Sequence, residues 1–170
     1  FRLIAPGALI DYVQQLCDSE GVQVEPGVLA LVVRAGGGSV RDTLSILDQL
    51  IAGSESTQVT LERATGLLGL TSTELIDEVV DAIGSGDSAA AFRATDRVVQ
   101  TGQDPRRFVE DLLERLRDLI VISATSVQGA SAVFRGVPDD QLGSMFGQAQ
   151  NFAHGQLSSI ADTVNATLNT

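Results

Sequence analysis

Tryptophan and lysine are absent from the 170-residue sequence, and cysteine and histidine each occur once. A single cysteine, Cys17, excludes an internal disulfide and a zinc site built from cysteines. A single histidine, His154, excludes a metal site that needs several imidazoles. We therefore expect no metal site in this chain. Cys17 is interpreted as a small core residue, and His154 as a residue at the surface or at a helix end.

Positive charge is scarce, because 11 basic residues, all of them arginine, stand against 22 acidic ones and leave a net charge of −11. A surface of that sign repels the phosphate backbone, so we expect little direct nucleic-acid binding by this chain. No apolar run approaches the roughly 20 residues that cross a bilayer, and the N-terminal residues do not resemble a signal peptide. With only one cysteine, these absences favour a cytoplasmic protein that makes no membrane contact.

Aromatic residues make up 4% of the chain, whereas hydrophobic residues make up 44%. A core of Leu, Ile, Val and Ala suits helices packed on helices, and we find no alternating strand pattern of useful length. Capping residues, glycines and prolines mark the helix ends, and Thr71 and Glu74 have the spacing of a capping box. The fold class is predicted to be all-α, with a loop over 126–136 and helices over 8–20, 27–35, 39–52, 60–66, 71–83, 87–100, 104–124, 139–152 and 156–168.

A polar stretch, Ser-Glu-Ser-Thr-Gln at 54–58, has the composition of a linker. It predicts two helical units, a three-helix unit over 1–54 and a longer one over 57–170. A linker of this kind would let the angle between the two units vary.

The most informative stretch runs from Gly36 through Gly38 to Ser39, Arg41 and Asp42. Ser39 is placed to be an N-cap and Asp42, three residues later, completes a capping arrangement, so Arg41 falls in the first turn of a helix. An exposed cation there opposes the helix dipole at a cost of about 0.3–1 kcal/mol, which a bound phosphate would offset. From the spacing alone, the favoured interpretation is a solvated Arg41, or one paired with Asp42 or another carboxylate. The glycines are not a P-loop, because no Gly-Lys-Ser/Thr follows them.

Asp77, Glu78 and Asp81 lie close together on one predicted helix. Paired carboxylates can carry out acid–base catalysis, but their spacing beside valines favours a solvated outer face. An autonomous enzyme that uses these carboxylates, Cys17 or His154 is the least favoured interpretation.

The long helix predicted over 104–124 carries an apolar stripe of Phe108, Leu112, Leu116, Leu119 and Ile120. Periodicity cannot decide between burial in the chain's own core and burial against a partner subunit. Arg93, Arg97 and Arg117, which lie in the same half of the chain, are interpreted as surface charges.

Residues 37–49, Gly-Gly-Ser-Val-Arg-Asp-Thr-Leu-Ser-Ile-Leu-Asp-Gln, resemble the sensor-2 region of bacterial clamp-loader ATPases, in particular the gamma/tau subunit family of DNA polymerase III. Phe1-Arg2-Leu3 resembles the exit from an ATPase core into a small helical lid. Gln-Val-Thr at 58–60 and Gly-Leu-Leu-Gly at 66–69 resemble the start of the collar domain, and 101–120 its long helix. Residues 137–168 resemble the actinobacterial form of the next collar helices. The likeness covers nearly the whole chain, and the sensor-2 block is its most specific part.

In this family the lid, an AAA+ lid domain, covers ATP that is bound in a preceding P-loop domain. The resemblance implies that Arg41 reaches the phosphates and that Val40 lies near the base and sugar. It also implies that the intact subunit binds ATP with Mg²⁺, mainly through a core domain outside this chain. Residues 1–54 would be the lid, and 57–170 the collar, or oligomerisation, domain.

The collar of this family joins other gamma/tau copies with the delta and delta-prime subunits into a ring that places the sliding clamp on primed DNA. The resemblance implies these partners, and some of Phe108, Leu112, Leu116 and Leu119 would form the oligomer interface. The chain contains no P-loop, acidic Mg²⁺ motif, cluster of zinc cysteines or Ser-Arg-Cys motif. We therefore expect it not to hydrolyse ATP alone, and we expect the collar to continue beyond Thr170. The alternative is a helical protein-interaction module with no nucleotide role.

Overall fold

The computed structural model describes residues 2–55 and 58–170, and this part of the chain is all-α, as predicted. Two strands of two residues each, β1 (Gln23–Val24) and β2 (Gln58–Val59), pair in parallel. The helices are α1 (Pro6–Ser19), α2 (Val28–Gly36), α3 (Val40–Ala52), α4 (Leu61–Leu67), α5 (Thr73–Gly84), α6 (Ser88–Gln100), α7 (Pro105–Ser123), α8 (Val127–Val133), α9 (Asp139–Gln150) and α10 (Gln156–Leu168).

The contacts between residues divide the chain into two compact units. The first unit contains the residues up to Leu68 together with Ser131–Asp139, and the second contains Gly69–Ala130 and Asp140–Thr170. These units differ in extent from the segments 1–54 and 57–170, whose domain assignment stays a prediction. Phe1, Ser56 and Thr57, on which parts of that prediction rest, lie outside the described residues.

The first unit is built around α1, α2 and α3. Its core is made of aliphatic side chains from all three helices, joined by residues from β2 and α4: Leu9, Val13, Cys17, Val28, Leu29, Val32, Val33, Leu47, Leu50, Val59 and Ala64. The Glu25 carboxylate accepts the backbone N–H of Leu61 at 2.9 Å, which satisfies a free donor at the start of α4. Aliphatic packing therefore holds this unit together, as its low aromatic content implies.

The second unit has an α5–α6 helical hairpin and a long helix, α7, that packs against α10. Its core residues include Val79, Val80 and Val98 from the hairpin, Leu112, Leu116, Leu119 and Ile122 from α7, and Leu157 from α10. Thr60, Asp87 and Asp104, the first residues of three of the predicted helices, are N-caps whose side chains accept backbone N–H groups. These three helix starts could therefore be predicted from local sequence.

The predicted loop over 126–136 is wrong, because α8 occupies Val127–Val133. The hydroxyl of Ser126 accepts the N–H of Gly129 at 3.1 Å, and Ala130 is fully buried. A capping serine and one buried alanine suffice for a short helix here. The composition of small residues concealed both.

The capping box predicted at Thr71 is also wrong. Ser72 is the N-cap of α5, and its hydroxyl accepts the N–H of Leu75 at 3.3 Å. Thr71 is 7% exposed, and its own N–H donates to the Asp111 carboxylate at 2.7 Å. A long-range bond to α7 therefore draws Thr71 into the interior and moves the cap by one residue.

Gly36 allows α2 and α3 to approach each other closely in the first unit. A Cβ added at this buried glycine would contact the Thr43 hydroxyl and would lie 3.0 Å from the Thr43 backbone nitrogen. Thr43 is fully buried in α3, and its hydroxyl has no hydrogen-bond partner among the described residues. Because the nearest atoms belong to backbone and to a short branched side chain, little can move to make room.

We expect Gly36→Ala to lower the free energy of unfolding by about 1–3 kcal/mol, the usual cost of overpacking. Urea unfolding followed by circular dichroism measures the change. Gly66→Ala is the matched control, because Gly66 also lies in a helix and its added Cβ meets nothing within 4 Å. The control should be neutral or stabilising by up to about 1 kcal/mol. Equal effects of the two substitutions would contradict the close packing of α2 on α3.

Candidate functional site

A tight turn over Gly36–Ser39 connects α2 to α3. The N–H of Gly37 closes α2 by donating to the Arg34 carbonyl at 3.2 Å, and the N–H of Ser39 donates to the Gly36 carbonyl at 3.0 Å. Gly37 and Gly38 have φ values of +61° and +88°, which only glycine adopts without strain. The glycine run thus ends one helix and starts the next within four residues.

The predicted N-cap of α3 is confirmed. Ser39 has an extended backbone, and its hydroxyl accepts the N–H of Asp42 at 3.2 Å. Asp42 lies in the first turn, where its carboxylate interacts favourably with the helix dipole. The first turn of α3 is therefore well defined, and Arg41 lies within it.

Arg41 is exposed, and its guanidinium forms no hydrogen bond or ion pair with the described residues. The predicted alternative of a pair with Asp42 is not observed. Val40 is half-buried and packs against the core of the first unit. An unpaired cation beside free helix N–H groups can bind an anion without first breaking an existing ion pair. A nucleotide role for Arg41 and Val40 nevertheless stays a prediction.

The carboxylates of Asp77, Glu78 and Asp81 each have a partner, and Asp81 is exposed whereas Asp77 and Glu78 are half-buried. Arg115, which is 8% exposed, pairs with Asp77, and its guanidinium donates to the Gln148 side-chain oxygen at 3.1 Å. Glu78 pairs with Arg97 of α6. These contacts tie α7 to α5 and α9.

Gln148 completes this network. Its amide donates to the carboxylates of Asp77 at 3.0 Å and Asp81 at 3.2 Å. Nothing in the sequence around Gln148 indicated the role, because its partners lie 67 and 71 residues away. The arrangement satisfies polar groups that packing takes out of water, which is the work of a structural network.

The stripe on α7 lies in the interior of the second unit. Phe108, Leu112, Leu116 and Leu119 are 0–7% exposed, and Ile120 is half-buried. The same unit exposes other apolar side chains, most of all Phe92 at 78% and Val99 at 55%, both on α6. An oligomer role for the four stripe residues stays a prediction. To contact a partner subunit, these side chains would have to become more exposed than they are in this structure.

Cys17 and His154 differ in their surroundings. Cys17 is 2% exposed within the first-unit core, and burial raises the pKa of its thiol, with smaller contributions from Asp18 and Glu20. His154 is exposed. Among the described residues, no group of three or more His, Cys, Asp or Glu is arranged to hold a metal ion, and no helix is long and apolar enough to cross a membrane.

Comparisons with known proteins match both parts of the chain. Residues 9–56 match the family model of the ATPase lid domain of DNA polymerase III clamp loader subunits, and residues 59–160 match that of domain III of DNA polymerase III subunits gamma and tau. The second match alone covers more than half of the chain. The two matched ranges adjoin within the predicted linker.

Among curated proteins, the DNA polymerase III subunit gamma/tau of Mycobacterium bovis is 48% identical over 99% of this chain. The DNA polymerase III subunit tau of Bacillus subtilis is 28% identical over 83%. The chain spans 29% and 24% of the lengths of these two relatives. The Bacillus subtilis DNA clamp loader delta protein matches with a TM-score of 0.48 and 13% identity, over 98% of this chain and 50% of that one. That last likeness is too slight to carry an argument.

We expect Arg115→Ala to lower the free energy of unfolding of the second unit by about 2–4 kcal/mol, because it leaves Asp77 and Gln148 without their shared donor. Thermal and urea unfolding measure the loss. Arg117→Ala, two residues away on the same helix but exposed, should cost at most about 1 kcal/mol. A loss of the same size in both variants would show that the buried network is not what Arg115 contributes.

Cys17 should be poorly reactive in the folded chain, because burial restricts access and a raised pKa lowers the thiolate fraction near neutral pH. We expect iodoacetamide to alkylate the folded chain at least about tenfold more slowly than the urea-unfolded chain. The dependence of the folded rate on pH should lie at higher pH than that of the unfolded chain. Equal rates would contradict the core placement.

Proposed function

The chain belongs to the DNA polymerase III gamma/tau family of clamp-loader subunits, and we propose that Arg41 reads bound ATP for such a subunit. In this proposal the guanidinium of Arg41 reaches the phosphates of a nucleotide that is held mainly by an ATPase core outside this chain. The observation that carries it is the exposed guanidinium in the capped first turn of α3, which has no hydrogen-bond or ion-pair partner among residues 2–55 and 58–170.

Three features of α3 support an anion at this place. The positive end of its dipole lies at Ser39–Arg41, and the turn that precedes it holds two glycines without side chains. Arg41 supplies a formal positive charge and a planar set of donors that suits phosphate. Within the described residues, no carboxylate competes for that guanidinium. Binding would therefore not have to break an existing ion pair.

Val40 is proposed to lie near the base and sugar of the nucleotide. It is half-buried and packs against the first-unit core, so its position is tied to the interior of that unit. Arg41, the next residue, would then contact the phosphates from a backbone that is anchored to the first-unit core. ATP is proposed to bind with Mg²⁺, whose charge neutralises phosphate oxygens when bound; this chain's own contribution would be the Arg41 contact.

We propose a separate, mechanical use for this contact. An arginine on a helical lid binds γ-phosphate only while the lid lies over the nucleotide, so hydrolysis would release the lid. The position of a lid of residues 1–54 would thereby report whether ATP or ADP is present. A ring of such subunits could use that difference to open a sliding clamp and to release it on primed DNA.

The segment 57–170 is proposed to be the collar that joins other gamma/tau copies with delta and delta-prime subunits. The family match over 59–160 supports this assignment. Residues 57–170 carry 8 arginines and 15 acidic residues, and this net charge of −7 supports a collar that meets protein more readily than DNA. We propose a cytoplasmic location for the assembled protein. A helical interaction module with no nucleotide role is the competing proposal. The exposed Phe92 supports a protein contact in this half of the chain, which both proposals include.

The test uses a gamma/tau subunit that contains this chain together with an ATPase core, assembled with its partners. Arg41→Ala should reduce clamp- and primed-DNA-stimulated ATP hydrolysis by about ten- to a hundredfold, the equivalent of the roughly 1.5–3 kcal/mol of a hydrogen bond to a charged group. Circular dichroism checks that the lid helices are retained.

Arg93→Ala is the matched control. Arg93 is also exposed on a helix and also forms no hydrogen bond or ion pair with the described residues, but it lies in the second unit. Its removal changes the net charge by the same amount, so a general electrostatic effect would appear in both variants. Unchanged hydrolysis and ATP affinity in Arg41→Ala would leave only the interaction-module proposal.

A further inference from the structure

The residues just before α1 contact the turn that precedes Arg41. The N–H of Ile4 donates to the Gly38 carbonyl at 3.0 Å. Leu3 lies against the same glycine, because a Cβ added to Gly38 would be 3.2 Å from the Leu3 Cβ. Gly38 therefore has two reasons to be glycine, its φ of +88° and this contact.

The contact with Leu3 is not a core contact. Leu3 is 75% exposed and Ile4 is 39% exposed, so little apolar area is removed from water where they meet the turn. Hydrophobic burial does not explain why this segment follows the turn. The hydrogen bond and the steric fit at Gly38 are the specific features that remain.

The turn is held from its other side by α3 itself. Gly36 packs on Thr43, and the Gly36 carbonyl accepts the N–H of Ser39 at 3.0 Å. The Gly38 carbonyl points to a different partner, Ile4. The start of α3 is thus fixed by one contact within the α2–α3 pair and by a second contact with residues from before α1.

This matters for Arg41 because no side chain among the described residues holds its guanidinium in place. The reach of the guanidinium then depends on where the backbone of the first turn lies. A displacement of about 1 Å at a charged contact can cost up to a hundredfold in rate. A contact that fixes the backbone of this turn can therefore affect phosphate binding by Arg41 strongly, although it buries little surface area.

We propose that Leu3 and Ile4 form a brace that positions Arg41, with Gly38 as the positioning residue that receives it. The inference rests on the proposed nucleotide role of Arg41 and adds to it the backbone element on which that role depends. Loosening the brace is expected to shift the first turn of α3 while leaving the core of the first unit intact, since neither Leu3 nor Ile4 belongs to that core.

The test compares Gly38→Ala with Gly37→Ala in a gamma/tau subunit that contains this chain and an ATPase core. Both glycines have positive φ, so both substitutions strain the backbone. Only at Gly38 does the new Cβ meet Leu3, because a Cβ at Gly37 has nothing within 4 Å. Gly37→Ala therefore shows the effect of backbone strain in this turn without a contact to Leu3, and its difference from Gly38→Ala is assigned to loss of the brace.

Two readouts are measured on each variant. One is the affinity for a fluorescent ATP analogue, where Gly38→Ala should be weaker than Gly37→Ala by about tenfold or more. The other is hydrogen exchange followed by mass spectrometry, where peptides covering residues 39–43 should exchange faster in Gly38→Ala only. The exchange readout needs no nucleotide and reports directly on the first turn of α3.

A second pair of variants removes the hydrogen bond without adding an atom to the turn. Ile4→Pro deletes the donor to the Gly38 carbonyl. Ala5→Pro is its control, because Ala5 has a φ of −57° that proline accepts. Ile4→Pro should reproduce the exchange change of Gly38→Ala, and Ala5→Pro should not. This pair decides the question if Gly38→Ala fails to fold.

Equal ATP affinity and equal exchange within both pairs would overturn the brace while leaving the proposed role of Arg41 untouched. Arg41→Ala is measured in parallel. If that variant binds the analogue as tightly as the unsubstituted subunit, the proposed function fails, and the inference that depends on it fails with it. The two failures are therefore distinguishable.

Discussion

The close approach of α2 and α3 at Gly36 and Thr43 is the constraint on which the candidate site depends. Without a side chain at Gly36, the end of α2 can lie directly on the second turn of α3. The turn Gly36–Ser39 joins the two helices, with Gly37 and Gly38 at positive φ and Ser39 as the N-cap of α3. Arg41 is two residues further on. The packing at Gly36 and the cap at Ser39 together define where α3 begins, and Arg41 is exposed in its first turn.

The second unit contains a buried and paired arginine, in contrast to the exposed Arg41 of the first unit. Arg115 lies in the interior and is surrounded by Asp77 and Gln148, so its charge joins helices and does not face a ligand. Arg41 is exposed and unpaired among the described residues. The two arginines thus have different surroundings, because Arg115 is enclosed by acceptors from two helices, α5 and α9, and Arg41 has no acceptor among the described residues. Charge alone in the sequence cannot distinguish these cases.

Local chemistry made much of the fold predictable. Ser39, Asp87 and Asp104 are capping residues with their first helical turns directly after them, and each caps the predicted helix. These signals act over three or four residues, so no tertiary information is needed to read them. The error at Thr71 arises from a partner far along the chain, and the error at α8 arises from a run of small residues whose burial the sequence does not show. Asp111, 40 residues away, takes the N–H of Thr71, and burial of Ala130 supports α8.

Capping and helical periodicity are local properties of the chain, so the all-α class, most helix ends and the place of Arg41 in a first helical turn could be predicted from the amino-acid sequence. Which polar groups meet and which apolar faces are covered depends on contacts that form only when the chain folds. Helical periodicity predicts that Phe108 and Leu116 are buried, but it does not predict which residues cover them. In the structure both are buried within the second unit. The contact of Ile4 with Gly38 likewise depends on folding, since it joins residues that are 34 positions apart.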